Sequence, residues 1–248
     1  MTDLIDLHCH LLPGVDDGAQ TPEDSGALLS AAKKGGVKRF VFTPHFDPGR
    51  QTPEAFLAKR AEALKTLAAL PEAAGIGYRL GAEIAFTPFF DRLPLEKLAF
   101  SGTRFFLFEL DTMYARPGVD EAIEWAVSEG LTPILAHVER YVYAEQDPTI
   151  LYRWVKAGAL AQVNAGFVLK DSKSRKRVLQ LAEWNLIHLM ASDAHSVKWR
   201  PPQLPEGYEK LPPDLAAQLR ENAAAVFAGK PVPAAKPRKP ERRWGGWK

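Results

Sequence analysis

Cysteine is almost absent: Cys9 is the only one in 248 residues. A single thiol excludes an internal disulfide and any multi-cysteine zinc module, and it fits a reducing compartment. No run of roughly 20 apolar residues occurs, and no basic segment followed by an apolar stretch opens the chain, so neither a membrane span nor a signal peptide is expected. The expected location is the cytoplasm. A Gly-Lys-Ser/Thr phosphate loop and a dinucleotide fingerprint are both missing. A large net charge is also lacking outside the C-terminus. Residues 229–248 hold Lys230, Lys236, Arg238, Lys239, Arg242, Arg243 and Lys248 against Glu241, and taking that +6 from the overall +2 leaves a body of −4. Such a body does not attract polyanions, and no nucleic-acid partner is expected.

What the chain does have is alternation. Short apolar runs predict strands at "LIDLH" (4–8), "RFVFT" (39–43), "YRLGA" (78–82), "FFLFE" (105–109), "PILAH" (133–137), "LAQVN" (160–164) and "IHLMA" (187–191). Between and after them lie helical patterns: "PEDSGALLSAAKKGG", "PEAFLAKRAEALKTLAAL", "DEAIEWAVSEG", "PTILYRWVKAG", "SRKRVLQLAEWN" and "PDLAAQLRENAAAVFAG". Strand-helix repetition of this kind predicts an α/β fold with a parallel sheet, open or closed into a barrel. The segment from Thr87 to Thr103 is too short and Pro-rich to predict a helix, and the Pro-rich stretch 197–213 is read as loop. Residues 1–228 form one expected domain, and residues 229–248 read as a loosely attached basic tail.

The polar residues cluster where the strands stop. His8 and His10 follow the first strand, His45 the second, Glu83 the third, Glu109 the fourth, His137 the fifth, and Asp193 with His195 the seventh. In parallel α/β sheets and barrels these C-terminal strand ends line the ligand site, so the scattered residues can converge. Residues two apart on a strand point the same way, so His8 and His10 share a face and Cys9 does not. Imidazole with carboxylate suits Mn, Fe or Zn, and nine candidate ligands, counting Asp17, exceed what one catalytic ion uses. Paired ions about 3.5–4 Å apart are a common arrangement in phosphoryl chemistry. His188, inside a strand, is read as structural.

The ordered set "DLHCH", "DDG", "TPH", "GAE", "FEL", "HVERY" and "SDAH" resembles the polymerase-and-histidinol-phosphatase (PHP) superfamily. Within it, "DLHCHLLPGVDDGAQTPEDS", "FTPHF", "GAEI" and "HVERY" are similar to the bacterial CpsB/YwqE group of protein tyrosine phosphatases. The resemblance spans roughly residues 3–228. It implies a distorted (β/α)7 barrel of the PHP type with three metal ions, usually Mn2+. By the same resemblance His8, His10, Glu83 and Asp193 hold one ion. Glu83, Glu109 and His137 hold the second, and Asp17, His45 and His195 the third. Arg140 sits beside the phosphate, a role that suits a planar guanidinium; the structural alternative is an ion pair with Glu139. Arg200 is a second candidate phosphate contact. Asp16 is read as shaping the "VDDG" loop, or as replacing Asp17 if the register is shifted. Asn164 lines the pocket or closes a turn.

The implied chemistry is hydrolysis of phosphotyrosine by a metal-bridging hydroxide, with Arg140, Glu109 and His137 in catalytic positions. The implied partner is a bacterial tyrosine autokinase of capsular or extracellular polysaccharide synthesis. A thiolate phosphatase would need an arginine six positions after its cysteine, and six after Cys9 is Val15. Two alternatives stand beside this reading: a small-molecule phosphomonoesterase such as a histidinol-phosphate phosphatase, and a non-catalytic PHP binding module. The tail has no counterpart in the family pattern, and contact with an anionic membrane surface is one reading of its charge.

Overall fold

Each apolar run is too short for a helix, and each connection is long enough to cross back over a sheet, so the runs pair in parallel. The computed structural model describes residues 3–243 and 246–247. Its strands are β1 (Leu4–Cys9), β2 (Val37–Phe42), β3 (His45–Phe46), β4 (Gly77–Leu80), β5 (Glu83–Ala85), β6 (Phe105–Glu109), β7 (Thr132–Leu135), β8 (Leu160–Asn164) and β9 (Leu189–Ala191). One sheet runs β1-β2-β4 and a second β3-β5-β6-β7-β8-β9, with every pair parallel.

The two sheets are one closed ring. β2 and β3 are a single path broken at Thr43–Pro44, and β4 and β5 a single path broken at Gly81–Ala82. Gly81 N donating to Phe42 O (2.9 Å) and Glu83 N to Pro44 O (3.1 Å) carry the ladder across the breaks. The buried Arg60 holds the second break by donating to Gly81 O and Lys97 O. At the seam, His10 N donates to Ala194 O and Asp193 N to His8 O, each at 2.9 Å, tying β1 to the segment after β9. The result is the distorted seven-path (β/α) barrel expected from the resemblance.

The long helices fall on the amphipathic patterns: α1 (Pro22–Lys34), α2 (Pro53–Ala68), α4 (Val119–Ser128), α6 (Thr149–Lys156), α8 (Ser172–Glu183) and α10 (Pro213–Phe227). Thr21 and Asp24 form a reciprocal capping box that starts α1 directly after the "VDDG" loop. Four short helices were not legible: α3 (Leu95–Leu98), α5 (Val142–Gln146), α7 (Ala165–Lys170) and α9 (Leu204–Glu209). α9 corrects the loop reading of 197–213, and α3 falls in the segment 87–103 from which no helix was predicted; at one or two turns each, they are too short to show a helical period. Among the described residues no helix is long and apolar enough to cross a membrane. Beyond Gly229 the chain runs along α8: Asn185 Nδ2 donates to Lys236 O, Arg238 N to Trp184 O and Gln180 Nε2 to Trp247 O. A short antiparallel pair, β10 (Arg242–Arg243) and β11 (Gly246–Trp247), ends the described chain.

Inside the ring the strands change character along their length. Ile5, Leu7, Val41, Phe105, Leu107, Ile134, Leu160 and Leu189 pack together with Phe100 and with Ala223 and Val226 of α10, closing the N-terminal end. Two residues further on, the same inward rows of β6 and β8 present Glu109 and Gln162 instead of hydrocarbon, and Asp193 follows just beyond the end of β9. β1 needs a correction of phase to do likewise, because Ile5 and Leu7 would place Cys9 on the inner row. The pairing with β2 shifts between Asp6 and Cys9. That irregularity turns His8 and His10 inward and moves Cys9 into the outer core.

The loop after β1 folds back tightly, with Ala19 N donating to His10 O at 3.0 Å. A Cβ on Gly18 would lie 2.2 Å from that carbonyl and 2.5 Å from His10 Cβ. Gly18→Ala is therefore expected to cost about 1–3 kcal/mol and to loosen the loop carrying Asp16 and Asp17. Thermal unfolding should show a lower midpoint than for a neutral surface variant.

Candidate metal centre

His8, His10, Glu83 and Asp193 bring four ligand atoms within 4.8 Å of one another, all buried. His8 Nε2 lies 3.1 Å from His10 Nε2, 3.1 Å from Glu83 Oε2 and 3.4 Å from Asp193 Oδ1. His10 Nε2 lies 3.3 and 3.4 Å from the same two oxygens. An ion about 2.0–2.2 Å from each of four N or O donors sets those donors roughly 3.3–3.6 Å apart, so the spacing fits one cation at their centre. Glu83 Oε2 and Asp193 Oδ1 are buried and accept no hydrogen bond among the described residues. Buried carboxylate oxygens without donors are costly unless a cation faces them.

Neighbouring groups decide which nitrogen of each imidazole is free. Gln162 Oε1 accepts from the backbone N–H of His137 at 3.0 Å, a donor that cannot reverse. The same oxygen lies 3.0 Å from His8 Nδ1, so that nitrogen carries the proton and Nε2 presents its lone pair. Asp16 plays this part for His10 at 2.6 Å from Nδ1, while also accepting from His45 N and Gly18 N. The shaping reading of Asp16 is the one this geometry matches. His195 Nδ1 faces Asp193 O at 2.9 Å, so Nδ1 carries the proton and Nε2 is the unprotonated nitrogen.

Two further groupings adjoin the first. Glu83 Oε1 lies 2.8 Å from His137 Nε2, and Glu109 Oε2 lies 3.6 Å from it. His45 Nδ1 is 3.0 Å from Glu83 Oε2 and 3.4 Å from Glu109 Oε1, so the compact set here is His45, Glu83 and Glu109, with His137 outside it and reaching it through Glu83; His45 Nε2 is 3.5 Å from Asp17 Oδ1. His195 Nε2 lies 3.4 Å from Asp17 Oδ1, completing the set His10, Asp17, His45 and His195. All nine sequence-derived ligands thus meet at one end of the barrel, with Glu83 central to two of the groupings.

The electrostatics follow from packing this many acids together. Burial alone would raise Glu83, but the imidazoles of His8, His10 and His137 outweigh it and hold the carboxyl well below the usual range. Burial opposes the His137 imidazolium too, yet Glu109 and Glu83 push its pKa up to about 10. His195 moves the other way, to about 4, through burial and the neighbouring His10. In the metal-free protein, protons on imidazole balance the carboxylates, and a cation must displace them.

Asp193 divides its two oxygens. Oδ1 faces the histidines, while Oδ2 accepts from Asn164 Nδ2 at 2.7 Å and from Arg200 Nη2, with Arg140 Nη1 3.9 Å away. Arg200 Nη1 also reaches His195 Nε2 at 3.0 Å. Arg140 does not pair with Glu139, whose carboxylate oxygens are buried without hydrogen-bond partners among the described residues; burial raises Glu139 to about 7. His188 Nδ1 accepts from Ala161 N at 3.1 Å, a structural role. Sequence reasoning missed Gln162 and Asp6. Asp6 is buried, accepts from Ser192 N and Oγ, and so anchors "SDAH" to β1. Both were visible as polar residues inside apolar strands.

A parallel barrel with clustered imidazoles and carboxylates at the C-terminal ends of its strands is the architecture of a metallohydrolase. The profile of the CpsB/CapC family of capsular polysaccharide synthesis matches residues 4–226. The tyrosine-protein phosphatase CpsB of Streptococcus agalactiae is 30% identical over 235 residues, covering 90% of this chain and 95% of that protein. The tyrosine-protein phosphatase YwqE of Bacillus subtilis is 28% identical over 248 residues, covering 97% and 98%. A crystal structure from work on YwqE of Bacillus subtilis and CpsB of Streptococcus pneumoniae, described as metal-dependent tyrosine phosphatases, superposes with a TM-score of 0.87. That match is at 28% identity and covers 96% of this chain and all of the other. The chain belongs to the CpsB/CapC family.

Gln162→Leu should remove the acceptor that sets the His8 tautomer and lower metal affinity about 10–100-fold, read by metal titration of the folded variant. Because His137 holds its proton up to about pH 10 without metal, affinity should rise with pH across the neutral range. A titration in weak buffer should show protons released as metal binds.

Proposed function

We infer that this chain is a metal-dependent protein tyrosine phosphatase, a phosphoric monoester hydrolase. The observation that carries the reading is the convergence of three ligand groupings with Arg140 and Arg200 at Asp193, supported by the family and the names of its relatives. The donor set has imidazole and carboxylate but no thiolate, and Mn2+ is the proposed ion, with Fe or Zn as alternatives. When bound, the metals supply a water nucleophile at neutral pH and neutralise charge on the phosphate.

The chain's own residues do the rest. Arg140 and Arg200 offer planar forks to the phosphate oxygens, and Arg140 has the freedom to do so because its side chain is 46% exposed. A tyrosinate, whose parent pKa is about 10, leaves without a strong acid beside it. Cys9 takes no part: it is fully buried, burial pushes its thiol well up, and its sulfur points at Val41 O. The proposed substrate is a phosphotyrosine-bearing autokinase of polysaccharide synthesis. Residues 1–228 are the proposed catalytic unit, and 229–248 an appended tail.

The test compares phosphate release from a phosphotyrosine peptide and from histidinol phosphate, with Mn2+ and then with chelator. Chelator-sensitive release from the peptide, with little from histidinol phosphate, is expected. The reverse preference would move the enzyme to small-molecule esters, and no turnover of either would leave a binding module. His45→Ala and His137→Ala should lose metal and activity together. Arg140→Ala should keep its metal but lose phosphate affinity, and Arg140→Lys should not restore it.

A further inference from the structure

The ligand cluster meets solvent at a mouth lined by the partly exposed Asp17, His45 and Glu109, with Arg140 and Arg200 beside Asp193. Two grooves lead away from it. One, of about 700 Å3, begins at Glu109 and is walled by Phe86, Pro88, Met113 and Arg116. The other, of about 490 Å3, begins at Asp17 and His195 and is walled by Leu28, Val197, Lys198 and Trp199. Exposed large apolar side chains gather on these same two banks: Met113 (55%) and Tyr114 (72%) on one, Val197 and Trp199 (88%) on the other.

These side chains are held in solvent by ordered turns. Asp111 Oδ1 accepts from Met113 N at 2.8 Å and Tyr114 N at 3.0 Å, fixing the turn that presents both. On the opposite bank Ser196 Oγ accepts from Trp199 N at 3.0 Å, and His195 N donates to Arg200 O at 3.0 Å, so Trp199 rides on the turn between the ligand His195 and Arg200. Neither wall carries a strong excess of one charge: Glu109 and Asp111 stand against Arg116 on one, and Asp17 and Asp24 balance Lys198 and Arg200 on the other. Apolar contact, more than net charge, is what these grooves offer.

We propose that Met113 and Trp199 are specificity-determining residues that grip the two flanks of an extended phosphotyrosine polypeptide, the phosphate lying at the mouth and apolar flanking residues lying in the two grooves. This rests on the phosphatase reading and adds the substrate's form to it. A small ester fills the mouth alone; two grooves continuous with it on opposite sides accommodate a chain that enters and leaves. Trp199, four positions from His195, couples the grip to the site without belonging to it.

The experiment measures kcat/KM of the Mn2+-loaded chain for a phosphotyrosine peptide with leucines on both flanks and for p-nitrophenyl phosphate, in wild type, Trp199→Ala, Met113→Ala and the double variant. The ratio of peptide to p-nitrophenyl phosphate is expected to fall about tenfold or more in the double variant, a loss of ordinary hot-spot size, through KM and not kcat. A wild-type peptide whose flanks are serine should show the same fall, with little further effect of the variants. A ratio that does not move, or equal losses on both substrates, overturns the proposal. So does a wild-type oligomer that the variants dissociate in analytical ultracentrifugation, which would make the rim a contact between copies. If the wild type releases no phosphate from either peptide, the phosphatase reading itself fails, before any variant is consulted.

Discussion

Buried negative charge at the mouth of the barrel is the constraint on which the structure turns. Glu83 and Asp193 are almost wholly enclosed, and each directs one oxygen toward the imidazole nitrogens of His8 and His10. An isolated carboxylate in such surroundings is prohibitively unstable and must be paired, coordinated or neutralised. Imidazole protons fill that role in the metal-free chain, which is why His137 is so basic and Glu109 is held at about 2. A bound divalent cation would do the same with more charge. The surrounding polar residues keep that position open: Gln162, Asp16 and the backbone of Asp193 each take the proton of one imidazole on the side away from the centre.

The backbone is bent to the same end. Three described residues other than glycine have positive φ, and two of them are His137 (34°) and Asp193 (54°). Each costs of order 1–3 kcal/mol, and each turns the chain as it leaves a strand so that a ligand side chain faces inward. The phase shift in β1 belongs with them. The outer core beside β6 is dense with aromatic contacts: Phe86 and Phe106 each meet Phe90 and Phe108, and Phe90 meets Phe108. Asn185, the third residue of positive φ, merely ends α8.

Asp193 links the metal cluster to the residues proposed to meet substrate. Its inner oxygen joins the histidines and its outer oxygen gathers Asn164, Arg200 and, at longer range, Arg140. A phosphate arriving at the mouth would compete with that outer oxygen for the two guanidinium groups, so substrate capture and ligand geometry are coupled through one side chain. Cysteine phosphatases reach the same product through a low-pKa thiolate in a phosphate cradle. Here the thiol is packed into the outer core between two ligands, and burial keeps it protonated.

The sequence by itself determined which residue types would meet. The period-two spacing of "HCH" and "DAH", and the recurrence of His, Glu or Asp where each apolar run stops, were enough to name candidate ligands that converge and a parallel sheet, because strand alternation and parallel topology are local rules that the tertiary structure only carries out. Long helices were legible for the same reason, whereas α3, α5, α7 and α9 were too short to show a period. Only the tertiary structure decided the rest. That β1 slips phase so that its histidines face inward, that Gln162 from β8 reaches His8 and thereby sets its tautomer, that His45 stands between two groupings, and that Asp6 anchors Ser192 across 186 positions of chain, are all contacts between distant segments. No periodicity encodes them, because each depends on how the ring closes.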